Sequence, residues 1–201
     1  AYIFLDKLHQ QYSLQPLYFF LMASKKSRYD KNISPHKTQL IQLIKQHAEK
    51  YAVGIHPSWQ SGEEPPLISS EKEALEAITK KKINASRQHY IRFTLPQTFR
   101  HLIHAGITDD YSMGYGSVNG FRASVAAPFY WYDLEREQET ALLLHPFCFM
   151  EANSFFEQKN SPEEASKELD SFYQSIKKAG GEMITIWHNN FLGSDNKMTA
   201  W

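Results

Sequence analysis

The chain has 201 residues, with 22 Lys or Arg against 22 Asp or Glu, so its formal net charge is zero. This balance gives no electrostatic basis for binding nucleic acid or an anionic membrane, and no run of about eighteen apolar residues exists to span a bilayer. The length predicts one domain over residues 1–201. The one cysteine, Cys148, excludes a disulfide framework and a thiolate zinc cluster, so any metal must be held by His, Asp or Glu.

Several amphipathic segments carry helix signals. Their predicted starts, in chain order, are Ala1, Ser34-Pro35, Ser70, Thr94-Leu95-Pro96-Gln97 and Ser161-Pro162. Ser34 and Ser161 each precede a proline, which suits an N-cap followed by the first helical position. Ser70 and Glu73 have the spacing of a capping box. Apolar residues at i, i+3 and i+4 then predict one buried face on each helix.

Short apolar runs of strand length alternate with these helices. They cover residues 17–22, 52–55, 86–90, 107–111 and 183–187. Such alternation predicts an α/β fold with a parallel sheet covered on both faces, either an open doubly wound sheet or a (β/α) barrel. Between the runs 107–111 and 183–187 lie two further β-rich runs, 125–132 and 141–149. They are expected to form either a hairpin or two strands joined by a longer connection.

Reactive side chains lie at or near the carboxyl ends of the predicted strands. They are His56, Arg87, His89, Asp109, Asp110 and His188. Taken singly, each has an ordinary structural explanation, such as a histidine bonded to backbone, an arginine paired with a carboxylate or an aspartate in a turn. The carboxyl ends of parallel strands converge on one face, however, and active sites of α/β proteins are built there. The set as a whole therefore indicates an enzyme-like site.

The order of motifs carries a family resemblance. The motifs are His56-Pro57-Ser58, Ser86-Arg87-Gln88-His89-Tyr90, Asp110-Tyr111-Ser112-Met113-Gly114-Tyr115, Gly120-Phe121-Arg122-Ala123 and Trp187-His188-Asn189. This succession resembles the polysaccharide deacetylases of the NodB-homology type, and most specifically a divergent bacterial branch of them. The resemblance extends from Tyr18 to Trp201, and it implies a distorted (β/α) barrel that is incomplete at its amino terminus.

The resemblance also implies a reaction, the metal-dependent hydrolysis of the N-acetyl group of a sugar, which is a carbon–nitrogen bond outside a peptide. The implied roles are metal binding by His56, base orientation by Arg87, acid orientation by Asp110 and general acid catalysis by His188. Zinc is the expected metal. Tyr90, Tyr111, Arg122 and Trp187 are the expected contacts to the carbohydrate substrate.

Two departures from the family pattern affect this prediction. Gln60 occupies the position of the second metal histidine and is a poor zinc ligand, so we expect His89 to replace it from the next strand. The Asp pair that supplies the base and a metal ligand has no counterpart before Leu17. We therefore expect that motif upstream of Ala1, with this chain a fragment that is catalytically complete only with the preceding sequence.

Two other functions remain open at this stage. A carbohydrate-binding or scaffold module that has lost the metal would explain Gln60 and the absent Asp pair. A metal-free hydrolase using Ser58 has less support, because the sequence has no Gly-x-Ser-x-Gly elbow. The single cysteine and the absence of a secretory leader peptide favour a cytoplasmic location as the expectation.

Overall fold

A computed structural model describes residues 2–192, which group into two compact units. The sheet unit contains residues 16–112 and 129–144, and the terminal unit contains residues 2–15, 113–128 and 145–192. Ala1, where the first predicted helix starts, and Trp201, where the resemblance ends, lie outside the described residues. The helices are α1 (Tyr2–Gln11), α2 (Thr38–Lys50), α3 (Pro66–Thr79), α4 (Gln97–His104) and α5 (Pro162–Ala179).

The sheet unit is built on one six-stranded sheet. Its strands are β1 (Leu17–Leu21), β2 (Ala52–His56), β3 (Ala85–Ser86), β4 (Asp109–Asp110), β5 (Phe129–Asp133) and β6 (Gln138–Leu144). The order across the sheet is β1-β2-β3-β4-β6-β5, and every neighbouring pair is parallel except β5 with β6. The predicted α/β class with a mostly parallel sheet is therefore confirmed, and the two β-rich runs form a hairpin.

The parallel strands bring the candidate site residues to neighbouring positions. Leu21 of β1 lies opposite His56 of β2, and Ile55 of β2 lies opposite Ser86 of β3. Gly54 allows this close spacing, because a Cβ there would lie 2.6 Å from the Phe19 ring and 2.8 Å from the Ala85 carbonyl oxygen. The carboxyl ends of β2 and β3 therefore lie side by side, as the alternation of strands and helices predicts.

The terminal unit has its own small sheet and core. β7 (Phe149–Met150) pairs in parallel with β8 (Thr185–Ile186), and a π-helical turn covers Asn153–Gln158. Its buried cluster, with the partly buried side chains packed on it, consists of Cys148, Phe149, Ala165, Ile176, Phe121, Ala126, Leu169, Phe172 and Met183. In residues 2–192, no helix combines the length and the apolar character that crossing a membrane requires.

Two predicted helix starts are wrong. The second helix begins at Thr38, because the Ser34 carbonyl accepts from Lys37 N–H and closes a turn before the helix. The third begins at Pro66, so Ser70 lies inside the helix and its hydroxyl donates to the Leu67 carbonyl. In this third helix, the start signal is Pro66 at the first helical position.

Candidate functional site

His56 ends β2 and is held by the neighbouring strand. Its ring is buried, and Nδ1–H donates to the carbonyl oxygen of Arg87, the residue that follows β3. The Arg87 N–H in turn donates to the Ile55 carbonyl at 3.1 Å, which continues the sheet pairing past the end of β3. A carbonyl oxygen can only accept, so this bond fixes the proton of a neutral His56 on Nδ1 and leaves Nε2 without one.

His89 lies on a tight turn after β3. The two residues that follow it, Tyr90 and Ile91, have φ values of 58° and 52°, a left-handed conformation that costs free energy for residues other than glycine. His89 Nε2–H donates to the carbonyl oxygen of Tyr29 at 3.2 Å, and the same nitrogen lies 4.0 Å from Oδ1 of Asp30. A neutral His89 therefore carries its proton on Nε2 and has none on Nδ1.

The two inner nitrogens face each other. His56 Nε2 and His89 Nδ1 are 2.9 Å apart, which is hydrogen-bond distance, and the rings meet edge to face with centroids 4.7 Å apart. A proton shared between the two nitrogens makes this contact favourable.

Backbone carbonyls orient both rings of the His56–His89 pair. Each ring donates through its outer nitrogen to a carbonyl, an arrangement that metal-binding imidazoles also use. Among the described residues, no group of three or more His, Cys, Asp or Glu side chains that could hold an ion occurs. Catalytic zinc usually takes three protein ligands, so metal binding by His56 and His89 stays a prediction.

Asp30 is a buried carboxylate beside this pair that the sequence analysis missed. Its Oδ1 accepts from the Trp59 N–H at 2.7 Å, and Oδ2 accepts from the Ser27 hydroxyl at 3.0 Å and Gln60 Nε2 at 3.1 Å. Burial acts to raise the pKa of Asp30, but these hydrogen bonds and the nearby His89 outweigh it and hold the pKa below its usual value.

Arg87 and Asp110, two of the predicted catalytic residues, lie in the sheet unit. The Arg87 guanidinium lies 4.9 Å from the centre of the Phe19 ring. Asp110 is fully buried at the end of β4, where its carboxylate accepts from the Ser86 hydroxyl at 2.7 Å and from the N–H and hydroxyl of Ser112 at 2.9 and 3.0 Å. Their proposed roles stay predictions.

Ser58 has a structural role in this arrangement. Its hydroxyl accepts from the Ser61 N–H at 3.2 Å and caps the 3-10 turn Trp59–Gly62. Its own N–H donates to the buried carboxylate of Glu71 at 2.8 Å. Burial raises the pKa of Glu71 above its usual value, and the hydrogen bonds from Ser58 act against that shift.

The predicted substrate contacts of the sheet unit differ in exposure. Tyr90 is 59% exposed, and its ring meets His89 and Tyr29 edge to face at 4.6 and 5.4 Å. Tyr111 is half-buried, with its ring centre 5.5 Å from that of Phe19. Tyr90 therefore offers an open aromatic surface next to the histidine pair.

In the terminal unit, His188 is bonded to a carboxylate that the sequence analysis did not identify. Glu151 is fully buried, and its Oε1 accepts from His188 Nδ1–H at 2.9 Å and also from the His188 N–H. Its Oε2 is buried and has no hydrogen-bond partner among the described residues. In the terminal unit, Glu151 is thus the carboxylate bonded to His188. The orienting role that the resemblance gives to Asp110 stays a prediction.

Two predicted substrate contacts also belong to the terminal unit. Trp187 is 52% exposed, packs on Phe149 at 5.7 Å and donates from Nε1 to the Thr185 hydroxyl at 2.9 Å. Arg122 is exposed, and its guanidinium donates to the Gly114 carbonyl at 3.2 Å. Both side chains leave surface available to a ligand.

A cavity of about 430 Å³ lies elsewhere in the sheet unit, and none of the predicted site residues line it. It is lined by residues of α4 and of the β5–β6 hairpin, including Arg100, Trp131 and Asp133. Arg100 is bound to Asp133 there through two hydrogen bonds of 2.7 and 2.8 Å. These bonds engage one guanidinium and one carboxylate of the cavity lining.

Comparison with known proteins gives one informative likeness. No protein-family model and no curated protein sequence matches the chain. A crystal structure from Mycobacterium smegmatis, described as a "putative polysaccharide deacetylase", is similar with a TM-score of 0.59 at 12% sequence identity. The match covers 90% of this chain and 60% of that one, so the chain spans about three fifths of the mycobacterial protein. At this identity the likeness shows the fold alone.

Proposed function

We propose that this chain is part of a metal-dependent hydrolase that removes the N-acetyl group from a sugar. The fold likeness to the mycobacterial protein and the motif resemblance support this class of reaction. The observation that carries the proposal is the juxtaposition of His56 and His89, whose ring nitrogens Nε2 and Nδ1 lie 2.9 Å apart beside the carboxyl ends of β2 and β3. These are the two histidines that the sequence predicts as metal ligands.

The metal, with zinc as the expected ion, would be held by His56 and His89. When bound, a divalent ion supplies polarisation of the acetamide carbonyl and activation of water. Tyr90 offers a flat aromatic face to the sugar ring beside the histidine pair. Arg87 is proposed to steady the general base.

His188 is proposed as the general acid that protonates the leaving amine of the sugar. Its Nδ1–H is committed to Glu151, so Nε2 is the nitrogen that gives the proton. Glu151 orients the ring through this hydrogen bond. Trp187, the exposed neighbour of His188, is proposed as a second sugar contact.

Metal content of the purified chain, measured by inductively coupled plasma mass spectrometry, tests the metal assignment. We expect about one zinc per chain, lost in His56→Gln and retained in His47→Gln. His47 is a matched control, because it is 6% exposed against 8% for His56 and its Nδ1 bonds to the Leu43 carbonyl of its own helix. Absence of metal in the wild type, or equal content in His56→Gln, would contradict the assignment.

The alternative function is a carbohydrate-binding module without metal. It is favoured by one observation, that the described residues contain no group of three ligands for an ion. Binding of an N-acetylglucosamine oligomer without release of acetate, in a chain that contains no metal, would support this alternative. Acetate release that His188→Gln abolishes while sugar binding is retained would support the hydrolase.

A further inference from the structure

The loop that follows β1, residues 22–37, carries a local positive charge although the chain as a whole is neutral. Between residues 25 and 31 this cationic loop holds four exposed basic side chains, Lys25, Lys26, Arg28 and Lys31. The acidic residue of the loop is Asp30, which is fully buried. None of the four basic side chains forms an ion pair within residues 2–192, so their charges are available to a ligand.

Hydrogen bonds fix the backbone of the cationic loop. The Ser27 hydroxyl donates to Asp30 Oδ2 at 3.0 Å and accepts from the N–H groups of Tyr29 and Asp30 at 3.1 and 2.9 Å. The Asp30 carboxylate also accepts from the Trp59 N–H at 2.7 Å, which ties the loop to the segment after β2. The basic side chains therefore project from a held backbone, which reduces the ordering entropy that a bound ligand must overcome.

The cationic loop lies beside the histidine pair. It begins directly after Leu21, which lies opposite His56 in the parallel pairing of β1 with β2. Further along the loop, the Tyr29 carbonyl accepts from His89 Nε2–H at 3.2 Å. A ligand bound at the histidine pair would therefore lie next to the loop.

An exposed aromatic ring contacts both the cationic loop and the histidine pair. Tyr90 is 59% exposed, and its ring meets those of Tyr29 and His89 edge to face at 5.4 and 4.6 Å. The Arg28 guanidinium lies 5.7 Å from the centre of the Tyr29 ring. This surface thus combines an open aromatic face with unpaired cations, the two features that suit a sugar ring bearing a negative charge.

Two acidic residues after β2 lie near the same surface, and one of them is already paired. Glu63 Oε1 accepts from the Arg92 guanidinium at 3.2 Å. Glu64 is exposed and lines a small cavity together with Lys25. The four basic side chains outnumber this open carboxylate, so the surface stays positive.

We propose that the cationic loop binds the carboxylates of an acidic N-acetylated glycan, a chain that contains uronic acid residues. Tyr90 stacks on a sugar ring, and the four basic side chains of the loop contact the carboxylates. Three of the four are lysines, each a single point charge, which suits a glycan with separated carboxylates better than a clustered dianion. This inference deepens the proposed function, because it rests on an N-acetylated sugar as the substrate.

Calorimetric titration with a hyaluronan hexasaccharide, in which N-acetylglucosamine alternates with glucuronic acid, tests the inference. The methyl ester of the same hexasaccharide is the matched ligand, because it keeps the sugar chain and loses the charges. We expect the acid to bind about 10-fold more tightly than the ester at low salt, from several exposed ion pairs together. The difference should shrink as the salt concentration rises, because salt screens exposed charges.

A charge-removing triple variant tests the loop itself, and it carries Lys25→Gln, Lys26→Gln and Lys31→Gln. It should bind the acid about 10-fold more weakly than the wild type does and bind the ester equally well. The control removes the same number of exposed lysines of the sheet unit, on α2 and on the turn before β3, through Lys45→Gln, Lys80→Gln and Lys82→Gln. The control should bind both ligands as the wild type does.

Equal affinity for the acid and the ester, or equal losses of affinity in the two triple variants, would overturn the inference. Binding of a single-stranded DNA oligomer as tightly as the acid would also overturn it, because the loop would then be a general anion surface. Acid-selective binding without acetate release would support the inference and contradict the hydrolase. Acetate release from a chitin oligomer, with no preference for the acid over its ester, would support the hydrolase and overturn the inference.

Discussion

The chemistry that Glu151 can support follows from its burial. Burying a carboxylate costs free energy unless hydrogen bonds or a positive charge offset the lost hydration. The recorded bonds of Glu151 all come from His188, through the ring Nδ1–H and the backbone N–H, and both reach the same oxygen. The pair therefore holds the His188 ring in a fixed orientation, with Nδ1–H directed at the Glu151 carboxylate.

We predict that Glu151→Gln lowers the turnover number for acetate release from an N-acetylated sugar about 10²- to 10⁴-fold, the range by which general acids contribute. The amide oxygen accepts from Nδ1–H more weakly than a carboxylate does, so the ring is held less firmly in the orientation that proton transfer needs. The Michaelis constant should change little, because Glu151 is fully buried and makes no direct contact with a substrate. Steady-state kinetics with a chitooligosaccharide measures both quantities.

Glu168→Gln is the control for this prediction. Glu168 is a carboxylate of the same unit, bonded to Asn119 Nδ2 at 2.7 Å, to the Ser154 hydroxyl at 3.5 Å and to Gln158 Nε2 at 3.2 Å. Its replacement should affect stability and spare turnover. Equal losses of turnover in the two variants would assign Glu151 a purely structural role.

Single residues differ in how well the sequence predicts their neighbours. The rule that parallel strands end on one face identified His56 and His89, and the structure brings their rings together. Asp30 gave no such signal, because it lies nine positions beyond the end of β1 in a segment that reads as a polar loop. Glu151 directly follows an apolar run, the same signal used for the histidines, but that run was interpreted as one strand ending earlier.

Secondary-structure elements show when a capping signal is sufficient. Ser161 caps α5 as predicted, because its hydroxyl accepts from the Glu164 N–H at 3.2 Å and Glu164 accepts from the Ser161 N–H at 2.7 Å. Ser70 and Glu73 have the same spacing but lie inside α3, where Pro66 begins the helix four residues earlier. The sequence spacing alone cannot distinguish the two cases, because tertiary packing decides how far a helix extends towards its amino terminus.

We predict that Ser161→Ala lowers the free energy of unfolding by about 1 kcal/mol near neutral pH, the usual cost of losing an N-cap. The bonds from the Ser161 backbone and side chain hold the pKa of Glu164 below its usual value. The stabilisation is therefore present above the pKa of the unfolded carboxyl, and it is lost as the pH falls through the lowered pKa of the folded state. The variant keeps the backbone N–H of residue 161, which is the larger cause of the lowered pKa, so only the smaller side-chain part of this stabilisation separates it from the wild type. That part of the difference should disappear in acid.

Urea unfolding followed by circular dichroism, at neutral and acidic pH, measures this effect. Ser175→Ala is the matched control, since the Ser175 hydroxyl donates to the Ser171 carbonyl within the same helix and caps nothing. It should be neutral or slightly stabilising, because alanine has the higher helix propensity. A loss of equal size in both variants would show that the cap contributes nothing specific.

The whole molecule is less predictable than its elements, because topology depends on which distant strands pair. The alternation of strands and helices correctly predicted a mostly parallel sheet, but it did not predict the strand order β1-β2-β3-β4-β6-β5. The predicted run over residues 141–149 instead divides into β6, which joins the large sheet, and β7, which pairs with β8. Local periodicity cannot reveal such a division, because residues 141–144 at the end of β6 and both residues of β7 are apolar, and only two residues of each small-sheet strand are paired.

The prediction that residues 1–201 form one domain can be tested through the two units. If they unfold as one cooperative system, probes located in each unit report the same urea midpoint. Cys148 reports the terminal unit, because it is 3% exposed and burial raises its pKa to about 11, which protects the thiol from alkylation until the unit opens. Trp59 and Trp131 report the sheet unit in a chain that carries Trp187→Phe and Trp201→Phe.

We expect the midpoint from pulsed alkylation of Cys148 to coincide with the midpoint from tryptophan fluorescence. Midpoints that differ by more than roughly 0.5 M urea would mean that the units unfold separately. The unfolding free energy typically falls by about 1–3 kcal/mol per molar urea, so a gap of that size is a clear difference in stability. A Cys148→Ala chain, followed by fluorescence alone, checks that the thiol itself does not shift the transition. Coincident midpoints would also justify comparing stabilities of variants in either unit on one scale, because each substitution would then act on the same unfolding equilibrium.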